Sequence, residues 1–181
     1  MTAFLGFKPN EGEYKLMGLA PYGDTKIYEK TLEKISSLGG HELFEINQKY
    51  FTFRTSEDDM FNKKLIDLIG FPPRFADEPI EKHHKDLAAA IQQWYEKNFY
   101  FIINRVLSTR SSENLVLSGG CAYNGTANGK IVNKTYFNHL WIPAAPSDAG
   151  SCIGAIIHYL VQEKKIKSKV TKRSEERRVG K

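Results

Sequence analysis

The chain has 181 residues, 41% of them hydrophobic, 12% aromatic and 26% charged, which suits one globular domain with a sizeable core. No run approaches the roughly 18 uncharged apolar residues of a membrane span, and Lys8 and Glu11 break up any signal peptide at the start, so a cytoplasmic protein is the default expectation. The net charge of +5 sits at one end: residues 163–181 hold nine Lys/Arg against three Glu, leaving seventeen basic against eighteen acidic residues elsewhere, a balance without a nucleic-acid footprint.

In chain order, "GEYKLMGLAPYGD" reads as a short helical turn entering a Pro-Tyr-Gly turn. Residues 26–37 suit a helix, and "LFEINQKYFTF" suits two short strands around Asn47-Gln48-Lys49. Residues 57–69 read as a helix ending at Gly70, followed by the rigid link "FPPRFADEP". A long helix is expected from Glu81 to Leu107. It lacks internal Gly and Pro, and Leu87, Ile91, Trp94, Ile102 and Val106 keep near-helical spacing. "NLVLSGG" reads as a short buried strand leading into a helix through residue 133. "NHLWIPAAPSDAG" is a second strand with a Pro-rich loop, and "GSCIGAIIHYLVQEKK" is a closing helix. Alternating helix and strand make the class α/β. The domain is expected over 1–162, with a basic, disordered tail over 163–181, of which 173–181 looks like a sequence-assembly remnant.

A strand, then Gly119-Gly120, then a helix, suits an anion or a nucleotide phosphate, because a helix start offers free N–H groups and glycine lets a ligand approach the main chain. A plain tight turn explains the same residues. Asp148 follows a strand and precedes Ala149, Gly150 and Ser151. It suits an N-cap or, at the strand-end edge where open α/β sheets hold ligands, a metal-binding or catalytic carboxylate. Asn124, a helical turn beyond the glycines, suits a base or ribose contact, or a plain exposed position. Cys121 and Cys152 form no metal or redox motif and are expected to be reduced and buried. His83 and His84, as helix neighbours, point to different faces and suit capping or solvation rather than chelation. No H-x-x-x-H, C-x-x-C or phosphate-binding-loop pattern occurs.

Four segments carry a resemblance. "FLGFKPNEGEYKLMGLAPYG" (4–23), "FPPRFADEPIEKHHKDLAAAIQ" (71–92), "LVLSGGCAYNGTANGKI" (115–131) and "PAAPSDAGSCIGA" (143–155) resemble the O-carbamoyltransferases of nodulation and antibiotic biosynthesis, in order and spacing, over about residues 4–160. The resemblance implies half of an actin/Hsp70/sugar-kinase-like domain, related to the enzymes that make threonylcarbamoyl-adenosine in tRNA. It implies transfer of a carbamoyl group from carbamoyl-adenylate, made from carbamoyl phosphate and ATP, to a hydroxyl-bearing small-molecule or glycoside acceptor. It also implies bound divalent iron. By the same resemblance Gly18, Gly119, Gly120 and Asn124 line the nucleotide, and Asp148 ligates the metal. A hard carboxylate with imidazoles suits such a metal.

The family's metal-binding histidine pair and its adenylate-forming part have no counterpart in this sequence. The chain is therefore expected to be a fragment, the second half of a transferase domain, and inactive alone. No residue is assigned as acid, base or nucleophile. A non-catalytic nucleotide-binding module is the alternative. A kinase-like phosphoryl transferase is a third reading, for which the sequence offers no phosphate-binding lysine motif.

Overall fold

One 26-residue helix organises the first two-thirds of the chain. The computed structural model describes residues 1–39, 43–56, 59–107, 112–163 and 165. The basic tail beyond Glu163 thus lies almost wholly outside the described residues. Contacts divide the chain into two compact units. The first holds residues 1–111 with 133–136, the second residues 112–132 and 137 onward.

The first unit begins with α1 (Glu13–Leu19), which runs into a tight helical turn at Ala20–Tyr22. Then come α2 (Glu29–Leu32), β1 (Ser36–Leu38), β2 (Phe44–Ile46), α3 (Lys63–Ile69) and α4 (Lys82–Leu107). In α4 the consecutive residues Leu87, Ala88, Ala89, Ala90 and Ile91 are all buried. A helix buried on every side is packed on every side, and the three alanines let its neighbours come close. Phe4, Leu5, Leu16, Leu32, Ile35, Leu65 and Ile69 share this core. Trp94 ties β1 to α4 through Nε1, which donates to Ser36 Oγ at 2.9 Å. Lys97 and Glu33 pair at 2.7 Å beside it.

The "GLAPYGD" turn lies directly on α4. A Cβ on Gly23 would sit 2.0 Å from the Lys85 carbonyl oxygen, so no larger residue fits this close approach. The next residue, Asp24, donates its N–H to Asp86 Oδ1 at 2.8 Å. Lys82 Nζ donates to Asp86 Oδ2 at 2.8 Å. Asp86 is 4% exposed, and the Lys82 hydrogen bond holds its carboxyl below the usual range, against the opposing effect of burial. At the other side of the link, Arg74 is buried and spends its guanidinium on main-chain carbonyls. Nε donates to Leu5 O at 2.8 Å, and Nη1 to Ala76 O and Glu78 O.

In the second unit, β3 (Asn114–Val116) pairs in parallel with β4 (His139–Trp141), with Leu115 opposite Leu140 and Val116 opposite Trp141. Between them lie a tight helical turn at Gly120–Tyr123, α5 (Gly125–Asn128) and α6 (Ile131–Lys134), the last two residues of which belong to the first unit. α7 (Ser151–Gln162) closes the unit.

The α/β reading holds, as do α4, the stop at Gly70 and both second-unit strands. Several expectations need correction. Residues 26–37 are no single helix: α2 spans four residues, and Ser36–Leu38 is a strand because it finds β2 as an antiparallel partner. The second strand expected in "LFEINQKYFTF" is a tight helical turn at Gln48–Tyr50 and one bridge from Phe51 to Phe61, since the Asn47 side chain accepts from Lys49 N. α3 starts only at Lys63, where Asn62 caps it through Lys64 N at 2.9 Å; residues 57–58 lie outside the described residues. β3 is not buried, for Asn114 and Val116 are exposed. The helix expected through residue 133 is three short turns, because the Asn124 cap and the glycines interrupt it. Cys121 and Cys152 are exposed rather than buried, since α7 buries no side chain and the Gly120–Tyr123 turn buries only Ala122.

Candidate functional site

Two loops follow the two parallel strands, and the predicted site residues of the second unit lie on them. After β3 the chain reaches Gly119 at φ 97°, ψ 170°. That backbone region is open essentially to glycine alone. Here the Gly-Gly pair has two separable reasons. Gly119 makes the turn. Gly120 takes part in the helical turn, is exposed, and has nothing within 4 Å of where a Cβ would stand.

The loop after β4 meets this turn. Gly119 N–H donates to Pro146 O, and Ser147 Oγ lies 3.3 Å from Tyr123 Oη. Leu117 N–H continues the ladder to Trp141 O at 3.0 Å. Asp148 opens a tight helical turn, Asp148–Gly150, and is exposed. The N-cap positions are Ser147 for this turn and Gly150 for α7, and the Asp148 carbonyl accepts from Ser151 Oγ at 2.7 Å. Asp148 is thus not the N-cap of either segment and is exposed. Gly150 allows the return of the loop, because a Cβ there would lie 2.1 Å from the Ala145 carbonyl oxygen.

Asn124 has a local role. Its Oδ1 accepts from Ala127 N at 3.0 Å and caps α5. Asn128 Nδ2 donates to Ala122 O at 2.7 Å and braces the same turn. Gly18 lies in the first unit, on α1, exposed and with open space around its missing Cβ. The second unit therefore brings Gly119, Gly120, Asn124 and Asp148 onto two linked loops, whereas Gly18 belongs to another unit. The helix after the glycines is shorter than the sequence suggests, and a four-residue turn offers little dipole to a phosphate. What remains is accessible backbone at the carboxyl ends of parallel strands. Pro146, Tyr123 and Ser147, which join the loops, escaped the sequence reading. The only signal for them was their place beside the Gly-Gly and Ser-Asp motifs.

Among the described residues, no three His, Cys, Asp or Glu side chains group as a metal site. The histidine pair of α4 does not diverge as expected. The rings of His83 and His84 are 4.0 Å apart, and both lie edge-on to Phe71. His84 is buried and takes the capping role, its Nδ1 accepting from Glu81 N at 3.0 Å. This is the return half of a capping box at the start of α4. Burial, then His83 and Arg74, push its imidazole below the ordinary value of 6.5.

The carbamoyltransferase N-terminus family model matches residues 1–157. The chain belongs to this family. It is 40% identical over 170 residues to an uncharacterized protein of Synechocystis sp., a match covering 92% of this chain and 28% of that protein. Nodulation protein NolNO of Sinorhizobium fredii is 30% identical over 148 residues, covering 80% of this chain and 20% of that protein. Nodulation protein NolO of Bradyrhizobium diazoefficiens is 28% identical over 148 residues, again 80% of this chain and 24% of that protein. The chain thus spans about a quarter of the length of these relatives, by shares of 28%, 20% and 24%. Among the described residues no helix is long and apolar enough to cross a membrane.

Proposed function

We propose that this chain is part of an O-carbamoyltransferase that moves a carbamoyl group from carbamoyl-adenylate, formed from carbamoyl phosphate and ATP, to the hydroxyl of a small-molecule or glycoside acceptor. Family membership supports carbamoyl transfer. The accessible main chain at Gly120, at the carboxyl end of a parallel strand, supports a nucleotide there. In this reading the adenylate phosphate lies along Gly119-Gly120, Asn124 serves the nucleoside side, and the fold is half of an actin/Hsp70/sugar-kinase-like domain. The compartment is the cytoplasm.

Asp148 suits one ligand position of an iron ion, since it is an exposed carboxylate. Among the described residues no further ligands group with it. What the chain's own residues do is narrower. The glycines admit the nucleotide to the backbone, and the Gly119–Pro146 bond holds the carboxylate loop against the glycine turn. A second reading is a nucleotide-binding module without catalysis.

A chimera separates the two, with this chain replacing the 170 matched residues of the Synechocystis relative. Radiolabelled carbamoyl phosphate, ATP and a panel of hydroxyl acceptors are supplied. Label transfer that depends on ATP and is lost in Asp148→Asn supports the enzyme. Nucleotide binding without transfer supports the module.

A further inference from the structure

We propose that α7, together with the open face of the β3–β4 pair, is a docking surface for the rest of a carbamoyltransferase polypeptide. α7 has no charged residue in its sequence SCIGAIIHYLVQ and buries none of its side chains. Ile153, Ile156, Ile157 and Leu160 follow the i, i+3, i+4, i+7 spacing of a packing stripe. The first three are 50%, 60% and 50% exposed. The strand pair repeats the pattern. Val116 and Trp141 are register partners on one face, and they are 63% and 47% exposed. Parallel strands are ordinarily covered on both faces, and a two-stranded sheet is marginal alone. Both elements thus have the composition of an interior and the exposure of a surface.

The occupant follows from two observations. A helix of 12 residues is too short to span a bilayer. And the relatives are three and a half to five times longer than their matched parts, which amount to 28% and 20% of them. That additional polypeptide is the natural cover for an interior helix and the source of further strands. The proposal rests on family membership and not on the reaction, so a failed transfer assay leaves it standing.

The test uses the full 181-residue chain, co-expressed with the Synechocystis relative from which the 170 matched residues are removed. Size exclusion with light scattering should show a one-to-one complex. In a Trp94→Phe background, Trp141 is the single tryptophan of this chain, and its emission should shift to the blue on binding. Ile156→Asp, at an exposed position, should keep the circular dichroism of the parent and weaken the complex roughly tenfold or more. Three results would each overturn the proposal: no complex, a complex indifferent to Ile156→Asp, or a homodimer of this chain that Ile156→Asp dissociates.

Discussion

The two units solve the same problem in opposite ways. Around Leu87 and Ile91 the first unit closes a core on itself, with Gly23 letting the Pro-Tyr-Gly turn lie against α4. Among the described residues of the second unit, burial is scattered over Ala122, Ala127, Ile131, Phe137 and Pro146, and its longest helix buries nothing. Yet the second unit carries the two linked loops with the nucleotide and metal candidates. The continuous buried core lies in the first unit and the proposed site in the second.

Mutations can break this comparison. The largest effect is expected at Leu87, which is fully buried. Leu87→Ala should cost about 3 kcal/mol, read as a lowered urea midpoint, whereas Ile156→Ala on exposed α7 should stay within about 0.5 kcal/mol. Equal costs would mean that α7 is packed as tightly as α4. Next comes Gly23→Ala. Its Cβ would meet a main-chain oxygen that cannot swing aside, so about 1–3 kcal/mol should be lost. Gly120→Ala has open space instead and should be nearly silent in the same experiment.

Smaller still is a pH effect. Burial lowers the pKa of His84 in the folded chain below its ordinary value of 6.5, so the unfolded chain takes up that proton first. The contribution is complete above that ordinary value and declines as pH falls through it toward the folded pKa. Thermal melts from pH 8 to 5 should show this decline. It should flatten in His84→Gln, where an amide oxygen still accepts from Glu81 N–H. An unchanged slope would remove His84 as the titrating group.

Sequence made α4 legible because no Gly or Pro interrupts it, and α3 because Gly70 ends it at φ 90°. It misjudged residues 26–37, where propensity favours helix but the pairing of Ser36–Leu38 with Phe44–Ile46 decides. It also took the burial of β3 and of both cysteines from hydrophobicity, which says what could be covered and not whether a cover is present. At the site, the glycine pair was visible as a motif, but the division of labour between Gly119 and Gly120 needed φ angles and neighbours. The divergence expected for His83 and His84 failed because Phe71 gathers both rings.

A nucleotide seated against Gly120 is the point on which the proposed function turns, and calorimetric titration of the chimera with ATP and a non-hydrolysable adenylate analogue measures it. The Cβ that Gly120→Val adds meets nothing within 4 Å and projects from the backbone to which the phosphate is assigned. Loss of nucleotide binding with an unchanged melting temperature is the predicted result. Wild-type affinity in the folded Gly120→Val protein would contradict a phosphate at this position and leave Gly119-Gly120 as a tight turn.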